Sequence, residues 1–109
     1  MIYAVTRCAG PAWDQRLGVR EQAGWEAHAA FMDALAQEGA VLLAGPLEGG
    51  PAHRALLIMD AADEAALHAR LAPDPWTLDG TLVTAEVAAW QVFIGDPAAS
   101  AARTPRSDR

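Results

Sequence analysis

An α+β domain built on one antiparallel sheet is what this sequence predicts, on three observations. Four segments are apolar or β-branched enough for strands: IYAVTRC (2–8), AVLLAG (40–45), RALLIMD (54–60) and LVTAEVAAWQVFI (82–94). Two segments between them repeat apolar residues at helical spacing. Their order, β-α-β-β-α-β, is that of the split βαβ or ferredoxin-like arrangement, with four strands in one sheet and both helices on one face. The chain has 109 residues, which is room for one domain. That domain is assigned to residues 1–95. Residues 96–109 turn to Ala, Pro, Ser and Arg and read as a disordered tail.

The elements follow in turn. MIYAVTRC carries neither the charged nor the apolar region of a secretory signal and reads as a strand from the start. Residues 9–23 hold Gly10, Pro11 and Gly18 and read as a long loop entering a helix near Arg20 to Gly24. The helix runs to about Glu38, with Gly39 as its C-terminal stop. Trp25, Ala29, Met32, Leu35 and Ala36 form its apolar face, with Phe31 at the edge. The second strand is continuously apolar, so coverage on both faces is expected. PLEGGP is a turn. After the third strand, Asp60 or Asp63 caps a helix whose core residues are Leu67 and Leu71 and which ends at Pro73 and Pro75. The sheet face away from the helices also carries apolar residues, which predicts a homodimer packed sheet against sheet.

Composition narrows the chemistry. The net charge is −6; three arginines and two aspartates make the tail +1 and the body −7. So acidic a body, with no basic stripe, argues against nucleic acid and anionic membranes as partners. No run approaches the roughly 18 apolar residues of a membrane span. One cysteine fits a reducing cytoplasm. There is no lysine for a Schiff base, and the only serines, Ser100 and Ser107, lie in the tail. The three histidines show no tight ligand spacing, so neither a metal nor another cofactor is expected.

His28 stands inside the apolar stripe of the first helix. In the split βαβ topology the start of helix one, the end of strand two and the end of helix two share one end of the sheet. His28, Gly45, Pro46 and Asp74 therefore surround one mouth. A carboxylate that accepts the proton of one imidazole nitrogen leaves the other nitrogen to take or give a proton. The same pairing also satisfies a half-buried histidine, and both readings stay open. Cys8 ends strand one near the same mouth, as a nucleophile or a small buried residue. Trp25 lines the pocket or packs. Trp13 and Trp76, in loops beside the mouth, form an apolar lid or pack against a partner. Arg7 is read as a surface ion pair, a dimer-face residue or an anion ligand. His53 is read as an exposed turn residue, or as a pocket residue only if the hairpin folds over the mouth, and His68 as surface.

The ordered set HAAF (28–31), Glu38-Gly39, LLAGP ending at Gly45-Pro46, Asp60, LAPDP with Asp74, and AEVAAW ending at Trp90 resembles the YciI-like (YCII-related) proteins over about residues 1–94. The resemblance implies a ferredoxin-like fold that dimerises through its sheets. It also implies a pocket with a histidine and an aspartate as proposed active-site residues, matched here by His28 and Asp74, with Gly45 and Pro46 in its wall. Most of that family has no assigned reaction; a few relatives are linked to elimination on chlorinated lactones, which needs one base beside a carbonyl and no cofactor. The Arg-rich end has no counterpart in the family's pattern. Two functions are therefore carried forward: a small cofactor-independent lyase or isomerase, and a ligand-binding or regulatory dimer whose His–Asp pair is structural. A third, a structural subunit of a larger assembly, predicts apolar surface beyond one interface.

Overall fold

The computed structural model describes residues 1–96; the predicted tail lies almost wholly outside them. The elements are β1 (Ile2–Ala9), α1 (Trp25–Gln37), β2 (Val41–Leu47), β3 (Arg54–Asp60), α2 (Glu64–Leu71), α3 (Pro75–Asp79) and β4 (Leu82–Ala89), with a 3-10 turn at Val19–Glu21. The sheet order is β2-β3-β1-β4 and every pairing is antiparallel. This is the split βαβ, ferredoxin-like arrangement: β3 lies between β2 and β1, which the first helix connects.

Alternation sorts the sheet into two faces. Tyr3, Val5 and Arg7 of β1 pair with Met59, Leu57 and Ala55 of β3 and point under the helices. Tyr3, Val5, Leu57 and Met59 join Leu35, Val41, Leu67 and Leu71 in the core. Ala4, Thr6 and Cys8, paired with Ile58, Leu56 and Arg54, point to the other face. α2 follows the expected design: the Asp63 carboxylate accepts the Ala66 N–H at 2.8 Å, and Leu67 and Leu71 are its buried residues.

Four boundaries differ from expectation. β4 stops at Ala89, where the Trp90 N–H donates to the Ile2 carbonyl; no strand partner remains for residues 90–94. β2 runs on through Pro46 and Leu47, because it is an edge strand and a proline there forfeits no ladder bond. Its apolar run is not covered on both sides, and Leu43 is 46% exposed. α1 begins only at Trp25. Gly24 holds φ +82° there, and a Cβ on it would stand 3.2 Å from Nε1 of Trp76. The segment read as the end of helix two holds a separate helix, α3. Pro75 starts it, since the first helical position needs no N–H.

Candidate active site

The site lies at the end of the sheet where α1 starts, β2 ends and α3 begins. Asp74 is fully buried and caps α3, its Oδ1 accepting the Trp76 N–H at 3.0 Å. Nδ1 of His28, in the first turn of α1, lies 2.9 and 3.0 Å from the two carboxylate oxygens. Nη1 of Arg7 donates to Asp74 Oδ2 at 2.8 Å, and Nη2 donates to Thr77 Oγ1 at 2.5 Å. The Thr77 hydroxyl in turn donates to the Leu71 carbonyl at 2.9 Å. Three elements therefore meet on one carboxylate.

Two opposed effects act on Asp74. Burial raises the carboxyl's pKa, but the hydrogen bonds from His28, Arg7 and the Trp76 amide outweigh it, and the net shift is downward. Asp74 is then an ionised acceptor, so the proton between the two side chains sits on Nδ1 of His28. In that tautomer of the imidazole the lone pair is on Nε2. Among the described residues nothing hydrogen-bonds Nε2. His28 is 8% exposed, and its ring lies flat on Trp76, with centroids 4.0 Å apart and planes 10° from parallel. Trp76 is fully buried and donates Nε1–H to the Ala23 carbonyl at 2.8 Å, so the stacking surface is itself held.

A cleft of ≈ 440 Å³ opens over this pair. Its walls include Trp25, Met32, Ala44, Gly45, Pro46, Leu57 and Leu82, with His28 and Trp76 on one side. His28, Asp74, Gly45, Pro46 and Trp25 are thus brought together as expected, Asp74 standing behind the histidine. Cys8 is not. It points to the opposite face of the sheet because it alternates with Arg7, and it is absent from the cleft. Trp76 is no lid; it is the inner surface. Trp13 stacks instead on His53, at 4.3 Å and 11°.

Arg7 and His53 also differ from their favoured reading as surface residues. Arg7 is 1% exposed and sits on the helix-covered face. Its period-two spacing from Tyr3 and Val5 is the signal that places it there. His53 is a cleft residue rather than an exposed turn, held where the Ala9 N–H donates to its carbonyl at 3.1 Å. Burial alone lowers its pKa, favouring the neutral ring. Gln22 was overlooked altogether. Buried, it accepts the Asp14 N–H and donates to the Asp14 and Leu17 carbonyls, which pins the loop before α1. His68 is on the surface as expected, beside Glu64. Among the described residues no group of three or more His, Cys, Asp or Glu side chains is placed to hold a metal.

No curated protein matches the chain. A solved structure of 5-chloro-2-hydroxyhydroquinone dehydrochlorinase from Burkholderia phenoliruptrix, in complex with 2,5-dihydroxybenzoquinone, superposes with a TM-score of 0.64 at 24% identity. The match covers 84% of this chain and 94% of that one, and it shows a shared fold. The YCII-related domain model matches residues 1–91, the whole sheet and all of its helices included. On that match the chain belongs to the YCII-related domain family.

Proposed function

We propose that the protein is a small acid/base enzyme of lyase or isomerase type that works on a cyclic, carbonyl-containing metabolite without a cofactor, with His28 as base and Asp74 as the carboxylate that orients it. Nε2 of His28 takes a proton from a carbon beside the carbonyl, and the C–H electron pair becomes the double bond of an enolate. In elimination the enolate expels a leaving group with its bonding pair, and the imidazolium returns its proton to water. In isomerisation the proton goes back to a different carbon. Asp74 fixes the tautomer with the lone pair on Nε2 and stabilises the imidazolium; a positioned base of this kind contributes roughly 10²–10⁴ in rate.

The observation that carries the reading is the bond of His28 Nδ1 to a buried, ionised carboxylate, while His28 lines the cleft and its Nε2 has no hydrogen-bond partner among the described residues. The dehydrochlorinase with the same fold adds that such a scaffold serves an elimination on a small ring. The test is solvent deuterium uptake, followed by NMR, at the carbon beside the carbonyl of small lactones and cyclic ketones. Chloride release from chlorinated lactones and from 5-chloro-2-hydroxyhydroquinone is assayed in parallel. Exchange or elimination that disappears in His28→Gln and weakens in Asp74→Asn supports the reading. Turnover indifferent to His28→Gln sinks it.

One observation favours the second reading, a ligand-binding or regulatory protein. His28 is packed against Trp76 with little of its ring exposed, as a structural pair would be. That reading expects small cyclic ligands to bind without turnover. In either case the functional unit is proposed to be a homodimer in the cytoplasm. Leu43, Leu56, Ile58, Trp90 and Val92 border a hollow of ≈ 580 Å³ on the sheet face opposite the helices, away from His28, where a second copy would pack. No described helix is long and apolar enough to cross a membrane.

A further inference from the structure

The charges around the cleft do not match those of the chain as a whole. The protein has 14 acidic residues against eight arginines, yet no Asp or Glu lines the cleft. The ionisable side chains that do are Arg7, Arg20, His28 and His53. Arg7 is spent on Asp74, which leaves that buried pair neutral overall. Burial keeps His53 toward its neutral form. Arg20 differs from both. It is exposed, and among the described residues its guanidinium holds no carboxylate and makes no hydrogen bond. Arg16 and Arg70, by contrast, are each closed on an acid, Asp14 and Glu38.

The position of Arg20 is fixed rather than incidental. It sits in the 3-10 turn Val19–Glu21, where the Gly18 N–H donates to Glu21 Oε1 at 2.8 Å and the Glu21 N–H to the Gly18 carbonyl at 3.1 Å. Gln22, the next residue, is buried and ties the turn to the preceding loop. One open cation thus stands at a cleft lined otherwise by apolar and aromatic residues, the two histidines and the paired Arg7. Low-dielectric walls concentrate such a field, and a guanidinium offers paired donors to two oxygens.

We infer that the cleft selects a small cyclic organic anion, a carboxylate or an enolate-type ring, and that Arg20 is the residue that recognises its charge while the ring lies against Trp25 and the apolar wall. This rests on the reading of the cleft as the substrate site and adds the class of ligand. A substrate anchored by its oxygens at Arg20 leaves its ring carbons toward His28.

The test compares isosteric pairs by NMR titration of the full chain: benzoate against benzamide, and the enolate of cyclohexane-1,3-dione against its methyl enol ether. The anion of each pair should bind at least about tenfold more tightly than its neutral twin, the discrimination one charge-assisted hydrogen bond provides. Arg20→Gln should erase most of that preference while leaving the neutral ligands' affinity unchanged, and Arg20→Glu should reverse it. Arg70→Gln removes the same charge from the outer face of α2 and should change nothing. Two results overturn the assignment: no binding of either anion, or an anion preference that survives Arg20→Gln. Neither touches the catalytic reading, which stands or falls on His28→Gln.

Discussion

Asp74→Asn tests the centre of the arrangement, because the replacement is nearly isosteric and leaves no cavity. The Asn oxygen can still accept from the Trp76 N–H and from His28 Nδ1. Its NH₂ group, in the place of Oδ2, turns donors toward the Arg7 guanidinium, which stood 2.8 Å from a carboxylate. Arg7 is 1% exposed, so its cation is largely out of water. Its Nε already lacks a partner among the described residues. Removing one member of a buried ion pair costs about 3–5 kcal/mol. Against a total stability of about 5–15 kcal/mol, and with a melting shift of about 4–8 °C per kcal/mol at this size, the midpoint should drop by roughly 12–40 °C. Thermal unfolding followed by circular dichroism at neutral pH measures it. Arg7→Met combined with Asp74→Asn should recover at least about 1 kcal/mol over Asp74→Asn alone, since the stranded cation is gone. The pH dependence has a definite sign. The folded carboxyl lies below its ordinary value of 3.8, so the unfolded chain binds the proton more readily. The contribution of Asp74 is complete above that value and is lost as pH falls through the lowered one, so the gap between wild type and variant narrows in acid. A variant that melts within about 3 °C of wild type, or additive effects in the double variant, would mean the buried pair is not the clamp it is taken for.

Trp76→Leu removes both the surface under His28 and the Nε1–H bond to the Ala23 carbonyl. A loss of roughly 3–5 kcal/mol is expected by urea denaturation, and a variant as stable as wild type contradicts the packing. Trp13→Ala uncovers His53, so its NMR titration midpoint should rise toward the ordinary imidazole value; an unmoved midpoint excludes burial as the cause of its lowered pKa. As His53 is depressed in the folded state, its part in stability is present above the ordinary value of 6.5 and lost as pH falls through the lowered one. Leu56→Asp, on the sheet face opposite the helices, should turn a dimer into a monomer in sedimentation with the fold retained; a wild-type monomer or an unaffected dimer rejects the proposed interface.

The strand and helix order is legible because each segment has a simple period, and the split βαβ topology that follows from it puts His28 and Asp74 at one end of the sheet. What stayed hidden depended on contacts rather than on patterns. Arg7 reads as surface by residue type, although alternation from Tyr3 and Val5 placed it inside. Only the discovery of a buried carboxylate opposite makes that reading acceptable. Pro73 and Pro75 read as a stop, and the stop was real, but Asp74 between them offered a new cap and Pro75 a first helical position. LVTAEVAAWQVFI has strand composition throughout, yet pairing ends at Ala89 because β1 begins at Ile2 and offers nothing beyond it. His53 needed the length of the hairpin and its bond to Ala9, neither of which local sequence encodes.

The two sides of His28 carry different tasks. Nδ1 belongs to the fold: through Asp74 it joins α1 to β1 and α3, so any substitution there disturbs stability first and reactivity second. Nε2 contributes to none of the described hydrogen bonds, and a purely structural histidine would gain by pairing it. A loss of activity in Asp74→Asn is therefore ambiguous on its own, since a misplaced ring and a weaker base look alike. His28→Asn separates the cases better. The Asn amide nitrogen, carried on Cγ as Nδ1 is, can still donate to Asp74 and keep the clamp closed, but the side chain has no basic nitrogen to turn toward the cleft. If that variant stays within a few °C of wild type while exchange at the carbon beside the carbonyl vanishes, the proton is taken by Nε2. If instead it unfolds, and ligands still bind to the residual folded fraction without turnover in either protein, the histidine serves packing, and the cleft is a binding site.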